Sequence, residues 1–168
     1  AIAVALLSGS RLTGSNKPSD NDLAMQMEYG ASFGLSADKA SYSPGEEIVV
    51  TLTGDTKGTE ITGYDALVQY DPEYLEVVRS TSSHDFIDVY PHTNDDYVSL
   101  TGVKRITETG KVIFDGSDVA TIVFTAKKSG VTALSVLSEV GREKSKVVDM
   151  NAQIIPPYVG TELAVTIQ

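Results

Sequence analysis

The chain has 168 residues, a length that suits one domain with a sizeable core. Its 13 basic and 23 acidic residues give a formal net charge of -10, which disfavours nucleic acid and anionic membranes as partners. Because the sequence contains no cysteine, disulfides, thiolate metal sites and cysteine nucleophiles are excluded.

The N-terminal residues form two segments of different composition. Residues 1–7 are uniformly apolar, but a membrane-spanning helix needs about 20 such residues, so we expect no membrane insertion. As a β-strand, this segment would present Ile2, Val4 and Leu6 on one face, which is the arrangement of a donor strand that fills a groove in a sandwich. Residues 8–32 begin with the Gly, Ser, Asn and Asp composition of a polar tether.

From residue 33 onward the sequence shows short apolar runs of period two between turn residues, which predicts an all-β domain over residues 33–168. The predicted strands are 33–37, 48–53, 61–70, 75–78, 111–114, 119–126, 131–137, 146–150 and 162–168. Residues 79–110 are polar and irregular, so we expect long loops there with one short strand near 97–100.

About nine strands, with a turn roughly every dozen residues, predict a two-sheet jelly-roll or Greek-key sandwich with an extended N-terminal arm. Pro156 and Pro157 cannot donate to a β-ladder, so the chain is expected to cross between the sheets there. Leu163, Val165 and Ile167 would then close the core.

Five stretches of the domain carry a family resemblance: ASYSPGEEIVVTL, ITGYDALVQYDPEYLEVV, GKVIFDGSD, VATIVFTAKKSGVTALSV and ELAVTIQ. Together they resemble the cohesin domain, the receptor module of cellulosome scaffolds. The resemblance covers residues 33–168 and implies an extracellular, non-catalytic jelly roll that grips a calcium-loaded dockerin with one sheet face.

The resemblance also implies where a partner would bind. Many cohesins carry an Asn-x-Asp pair that hydrogen-bonds the dockerin; here Asp65 matches the Asp, whereas Gly63 stands in place of the Asn. Asp65, Leu67 and Gln69 alternate along one predicted strand and are the candidate partner-binding residues. Asp65 can equally be a solvated outward residue of an alternating strand.

Calcium is the one metal ion that the sequence suggests. Hard cations prefer carboxylate, amide and carbonyl oxygens, and these are concentrated in SDND and TNDDY. The candidate ligands are Asp20, Asp22, Asn94, Asp95 and Asp96. Neither segment has the spacing of an EF-hand, and acidic loops that hold only water are the alternative.

We expect no catalytic activity. Ser83, His84 and Asp85 are adjacent in sequence, which is not the spatial arrangement of a catalytic triad, so they predict a surface loop. A carbohydrate-binding module would need an aromatic platform, for which Tyr64 and Tyr70 are available, although core packing explains them equally.

Three functions follow from these features. The main hypothesis is a cell-surface filament subunit, in which Ile2, Val4 and Leu6 of one copy insert into the sandwich of the next copy. The second is a cohesin receptor that binds a dockerin-bearing protein. The third is a carbohydrate-binding module.

Overall fold

The computed structural model describes residues 29–160 and 162–168. The predicted donor strand, residues 1–7, and nearly all of the predicted tether lie outside these residues. All regular secondary structure in the described part is β, and no helix there could cross a membrane.

The described residues form fifteen strand segments. In chain order they are β1 (Ser32–Ala37), β2 (Ser41–Tyr42), β3 (Glu47–Asp55), β4 (Ile61–Gln69), β5 (Leu75–Ser82), β6 (Ile87–Thr93), β7 (Tyr97–Lys104), β8 (Asp115–Ala126), β9 (Gly130–Leu137), β10 (Glu139–Val140), β11 (Glu143–Lys144), β12 (Lys146–Asp149), β13 (Ile154–Ile155), β14 (Tyr158–Val159) and β15 (Leu163–Ile167).

These segments build two sheets and a separate hairpin. The smaller sheet has the order β14-β1-β3-β8-β5. The larger sheet has the order β13-β12-β4-β9-β15-β2, with β7 on the other edge of β4 and β6 beyond it. In the part of the chain that the structure describes, strands β10 and β11 pair only with each other.

Several short segments are parts of interrupted strands. β1 and β2 run parallel to β14 and β15, so the first and the last strand both pass from the smaller sheet to the larger one. β9 and β12 pair with the same edge of β4, one on each side of the β10–β11 hairpin. With each interrupted strand counted once, and the hairpin and β13 set aside, the described residues form the predicted jelly roll of nine strands.

The hairpin is an insertion into one of these strands. Leu137 pairs with Leu67, so residue 139 would face Asp65 if the strand continued without a break. Lys146 faces Asp65 instead, so residues 139–145 are seven extra residues, which we call the insertion hairpin. Its turn contains Gly141, whose φ of 58° is a conformation that glycine adopts without steric cost.

The core confirms the predicted alternation. Ile48, Val50 and Leu52 are fully buried on the inner face of β3, opposite an inward set from the larger sheet. That set is Tyr64, Ala66, Val68, Val98, Leu100, Leu134, Val165 and Ile167, all buried. Burial of apolar surface at roughly 25 cal/mol per Å² is the main term that holds the two sheets together.

The predicted crossing at the two prolines is confirmed. Immediately before them, β13 pairs with β12 of the larger sheet, and immediately after them β14 pairs with β1 of the smaller sheet. Neither proline lies in a strand, so no ladder loses a donor.

Two sequence expectations were wrong. Residues 79–110, expected to be mostly loops, form the end of β5 and the whole of β6 and β7. Pro91 is tolerated in β6 because β6 is an edge strand, where no inner ladder needs the missing N–H. Residues 111–114 were predicted as a strand but belong to none; Val112 and Phe114 are buried as the alternation requires, and their carbonyls accept only isolated bonds from Ile61 and Thr56.

Candidate functional site

The outer face of the larger sheet carries a row of polar side chains across four strands. Cross-strand pairing aligns Tyr90, Thr101, Asp65 and Lys146, and we call these residues the polar row. Thr101 Oγ1 donates a hydrogen bond of 2.7 Å to Asp65 Oδ1. Lys146 Nζ lies 2.7 Å from Asp65 Oδ2, so both carboxylate oxygens of Asp65 have partners within the chain.

A second row lies next to the polar row and is apolar. Val103 and Val148 both pair with Gly63, and Val148 also pairs with Ile154; we call Val103, Val148 and Ile154 the apolar row. Val103 is 45% exposed and Ile154 is 66% exposed. Large exposed apolar side chains that cluster on one face are typical of an interaction surface.

The insertion hairpin forms one side of a groove of about 500 Å³ on this face. The groove is lined by Asp65, Leu67, Ser99, Thr101, Arg142, Glu143, Lys144, Ser145, Lys146, Ile154 and Pro156. Tyr97 OH donates to Glu143 Oε1 at 3.1 Å, which ties the hairpin to β7. Burial and this hydrogen bond to Glu143 raise the pKa of the Tyr97 phenol.

The three predicted partner-binding residues do not share one site. Asp65 lines the groove with its charge compensated by Lys146. Leu67 is fully buried, so the expectation that it offers an exposed side chain is wrong: the base of the insertion hairpin covers it. Gln69 is exposed but lines a different, shallower groove of about 630 Å³ with Asp71 and Glu162. Whether any of them contacts a partner stays a prediction.

Gly63 occupies a position that has no room for a side chain. A Cβ added there would lie 2.7 Å from the carbonyl oxygen of Gly102. Gly102 in turn lies against the ring of the buried Tyr64, where a Cβ would come within 2.0 Å of the ring. The glycine that stands at position 63, where the cohesin pattern has Asn, is therefore required by the local packing of β4 and β7.

The predicted calcium ligands that the structure describes lie in the turn between β6 and β7. Their backbone atoms are used within the chain: Tyr70 N–H donates to Asp96 O at 2.9 Å, and Tyr70 OH donates to Asn94 O at 3.1 Å. Asp20 and Asp22 lie outside the described residues. Within the described residues no group of three or more histidine and acidic side chains could hold a metal ion, and calcium binding stays a prediction.

His84 lies in a loop, and Tyr64 and Tyr70 pack in the core. His84 Nδ1 accepts a 3.1 Å hydrogen bond from Phe86 N–H, and its ring packs edge-on against Phe114, so His84 orders the loop between β5 and β6. Tyr64 and Tyr70 are buried, as core packing predicts, and offer no platform to a sugar ring. Burial raises the pKa of the Tyr64 phenol.

Sequence reasoning missed the residues that make this face distinctive, namely the apolar row and the basic side chains of the hairpin. The alternation in YVSLTGVK was a usable signal, because it places Val103 outward with Thr101 once Val98 and Leu100 are assigned inward. The glycine among charged residues in EVGREK was the signal for the hairpin turn.

Comparison with known proteins agrees with this architecture. The family model described as the cohesin domain matches residues 33–156. None of the curated protein sequences matches the chain.

Three solved structures illustrate the likeness. A cohesin module from a family 33 glycoside hydrolase of Clostridium perfringens superimposes with a TM-score of 0.69 at 14% identity, covering 83% of this chain and 99% of that one. A type II cohesin domain from the cellulosome of Acetivibrio cellulolyticus gives 0.66 at 15% identity, covering 80% and 94%. A type I cohesin–dockerin complex from Clostridium thermocellum gives 0.61 at 16% identity, covering 82% and 99%.

The matched segment is well over half of the chain, and these structures share the two-sheet topology described above. The chain belongs to the cohesin family.

Proposed function

We propose that this chain is an extracellular, non-catalytic receptor module, and that the outer face of its larger sheet binds a dockerin module carried by another protein. The observation that carries the proposal is the apolar row, where Val103 and Ile154 are exposed beside the polar row and the groove. Exposed apolar side chains surrounded by polar groups are the usual composition of the centre of a protein interface.

Relatives support this choice of partner. Solved structures similar to this chain include a type I cohesin–dockerin complex and a scaffoldin cohesin in complex with a dockerin. Cohesins are interaction modules, and this membership makes protein binding the first function to test. The extracellular location follows in the same way from the cellulosome origin of such relatives.

The face differs from the family pattern in a way that shapes the proposal. Gly63 offers no side chain for hydrogen bonding, and Asp65 is already paired with Thr101 and Lys146. A partner that bonded to Asp65 would have to displace Lys146 and compensate its charge. Binding energy is therefore expected to come mainly from burial of the apolar row.

The filament hypothesis has weaker support. Its donor residues, Ile2, Val4 and Leu6, lie outside the described residues, and the similar structures include complexes with dockerins. Within the described residues, β15 already supplies Val165 and Ile167 to a closed core. Electron microscopy of the full chain would test assembly directly: filaments that disappear on deletion of residues 1–7 would support it, and a monomer at all concentrations would exclude it.

Binding to a panel of calcium-loaded dockerin modules, including those from the same genome, tests the proposal. The variant V103D/I154D places two charges in the apolar row and should weaken binding by about 100-fold or more. The matched variant S36D/T81D adds the same charge at exposed positions of the smaller sheet and should bind like the wild type. Equal loss in both variants, or no binding by any dockerin, would contradict the proposal.

A further inference from the structure

The insertion hairpin is held rigidly at its base by one buried hydroxyl. Ser145 is 4% exposed, and its Oγ accepts a 3.0 Å hydrogen bond from Leu67 N–H of β4. The same hydroxyl donates to Leu137 O at 2.6 Å, and Ser145 N–H donates to Ser138 O at 2.9 Å. These bonds anchor the point at which the hairpin leaves the sheet, beside the groove that it lines.

The hairpin carries two acidic and two basic residues, and they differ in whether they have partners. Glu143 accepts from Tyr97, and Glu139 lies 3.5 Å from Lys144 Nζ. Arg142 is exposed and has no carboxylate within ion-pair distance among residues 29–160 and 162–168. Within residues 29–160 and 162–168, the acidic groups of the hairpin thus have partners, whereas the Arg142 guanidinium has no ion-pair partner.

The groove as a whole has a small excess of positive charge, which is unusual for this acidic chain. The groove is lined by three basic side chains, Arg142, Lys144 and Lys146, and by two acidic ones, Asp65 and Glu143. The entire chain, by contrast, has a net charge of -10. An acidic ligand would be repelled by most of the surface and attracted to this groove, which is the arrangement that orients an encounter.

From this complementarity we infer that the insertion hairpin is a specificity-determining element that selects a partner segment with apolar side chains flanked by carboxylates. The apolar side chains cover Val103 and Ile154, and the carboxylates reach Arg142 and Lys144. The inference rests on the proposed function for the identity of the partner. The chemistry expected of the bound segment does not depend on that identity.

Charge reversal at the hairpin tests the inference with any dockerin that binds the wild type. R142E/K144E should weaken binding by at least about tenfold and flatten its dependence on NaCl between about 0.05 and about 0.5 M. The matched variant K39E/R79E reverses two exposed charges away from the groove and should change affinity by less than about twofold. Unchanged binding by R142E/K144E would overturn the inference and leave the proposed function intact.

A designed peptide separates failure of the inference from failure of the proposed function. The probe is an amphipathic helical peptide with leucine on one face flanked by glutamate, compared with the same peptide carrying lysine for glutamate. If no dockerin binds, binding of the acidic peptide to the wild type but not to R142E/K144E would still support the inference. Equal binding of both peptides, or of neither, would overturn it.

Discussion

The outer faces of the two sheets rest on one core but differ in the side chains they present. On the smaller sheet, pairing aligns four hydroxyl residues in one row: Ser36, Thr51, Thr121 and Thr81. On the larger sheet, the corresponding surface carries the apolar row, the polar row and the insertion hairpin. The inward residues therefore specify the sandwich, and the outward residues of the larger sheet form the proposed partner surface.

The ion pairs on the two outer faces differ in their exposure and in the number of groups that take part. Arg79 and Glu47 of the smaller sheet form an exposed two-pronged ion pair at 2.9 and 3.1 Å. This pair lowers the pKa of Glu47. Asp65 and Lys146 of the larger sheet are less exposed, and Thr101 adds a third partner. The larger sheet therefore has the more constrained polar surface. Three of the expected effects below compare the larger sheet with the smaller one, and one concerns the seam between them.

The largest expected effect concerns the close packing under the larger sheet. In Gly102→Ala the new Cβ would lie 2.0 Å from the Tyr64 ring, which is buried and has no space to move into. We expect the free energy of unfolding to fall by about 2 to 4 kcal/mol. The matched change Gly34→Ala in the smaller sheet, where the Cβ would lie 3.1 Å from Thr53 Oγ1, should cost less than about 1 kcal/mol. Urea denaturation of both variants measures the difference, and similar losses would contradict it.

The next effect concerns the anchor of the insertion hairpin. Ser145→Ala leaves the buried Leu67 N–H without its acceptor and should lower the free energy of unfolding by about 1 to 3 kcal/mol. It should also speed amide hydrogen exchange at Leu67. Ser36→Ala on the smaller sheet is exposed and should stay within about 0.5 kcal/mol of the wild type. A Leu67 amide that exchanges as slowly as before would show that the anchor is not needed.

A third prediction concerns the seam that joins both sheets, where Tyr42 OH donates to Asp38 Oδ1 at 2.7 Å. Burial and this bond raise the pKa of Tyr42 to about 12. Because the unfolded phenol ionises near pH 10, this stabilisation is complete below that pH and is lost as the pH rises towards 12. We expect this effect to contribute about 1 to 2 kcal/mol to the free energy of unfolding below pH 10. This is less than a full two-unit pKa shift would give, because solvent partly screens the phenol.

Tyr42→Phe should remove that part of the alkaline loss. Tyr64 contributes in the same direction, since its pKa is also raised, so the difference between variant and wild type isolates Tyr42. Thermal unfolding at pH 8 to 11 measures it. Identical alkaline profiles for the two proteins would contradict the assignment.

The smallest effect compares the two ion pairs. Lys146→Met leaves the partly buried Asp65 with Thr101 as its one remaining partner among the described residues and should cost about 1 kcal/mol. Arg79→Met breaks a pair that is half exposed on both sides and should have no measurable effect on unfolding. If Arg79→Met lowered the free energy of unfolding more than Lys146→Met, the view that the larger sheet has the more constrained polar surface would be contradicted.

The inner faces were predictable from sequence because their signal is local. The alternation of Ile48, Val50 and Leu52 predicted a buried face at once, and the prolines at 156 and 157 marked the sheet crossing. The stretch 79–110 failed because Pro91 and many polar residues mask the alternation of β6 and β7, which pair with each other in a hairpin.

The outer face was less predictable because it depends on contacts between distant segments. Leu67 looks like an outward residue of an alternating strand, yet it is buried because the insertion hairpin, more than 70 residues later, folds over it. The ion pair of Asp65 with Lys146 likewise depends on how β12 resumes after the insertion. The proposed partner site combines β4, β7, β12 and the insertion hairpin, so no single stretch of the sequence predicts it.

The register of the insertion hairpin has an evolutionary consequence. Pairing with β4 stops at Leu137 and resumes at Lys146, and Ser145 closes the gap between them. We expect insertions, deletions and substitutions within residues 139–144 to leave the ladder on both sides and the Ser145 anchor intact. If the hairpin selects the partner as proposed, descendants of this sequence can acquire new partners by changing a few exposed residues, while selection on folding acts on other residues.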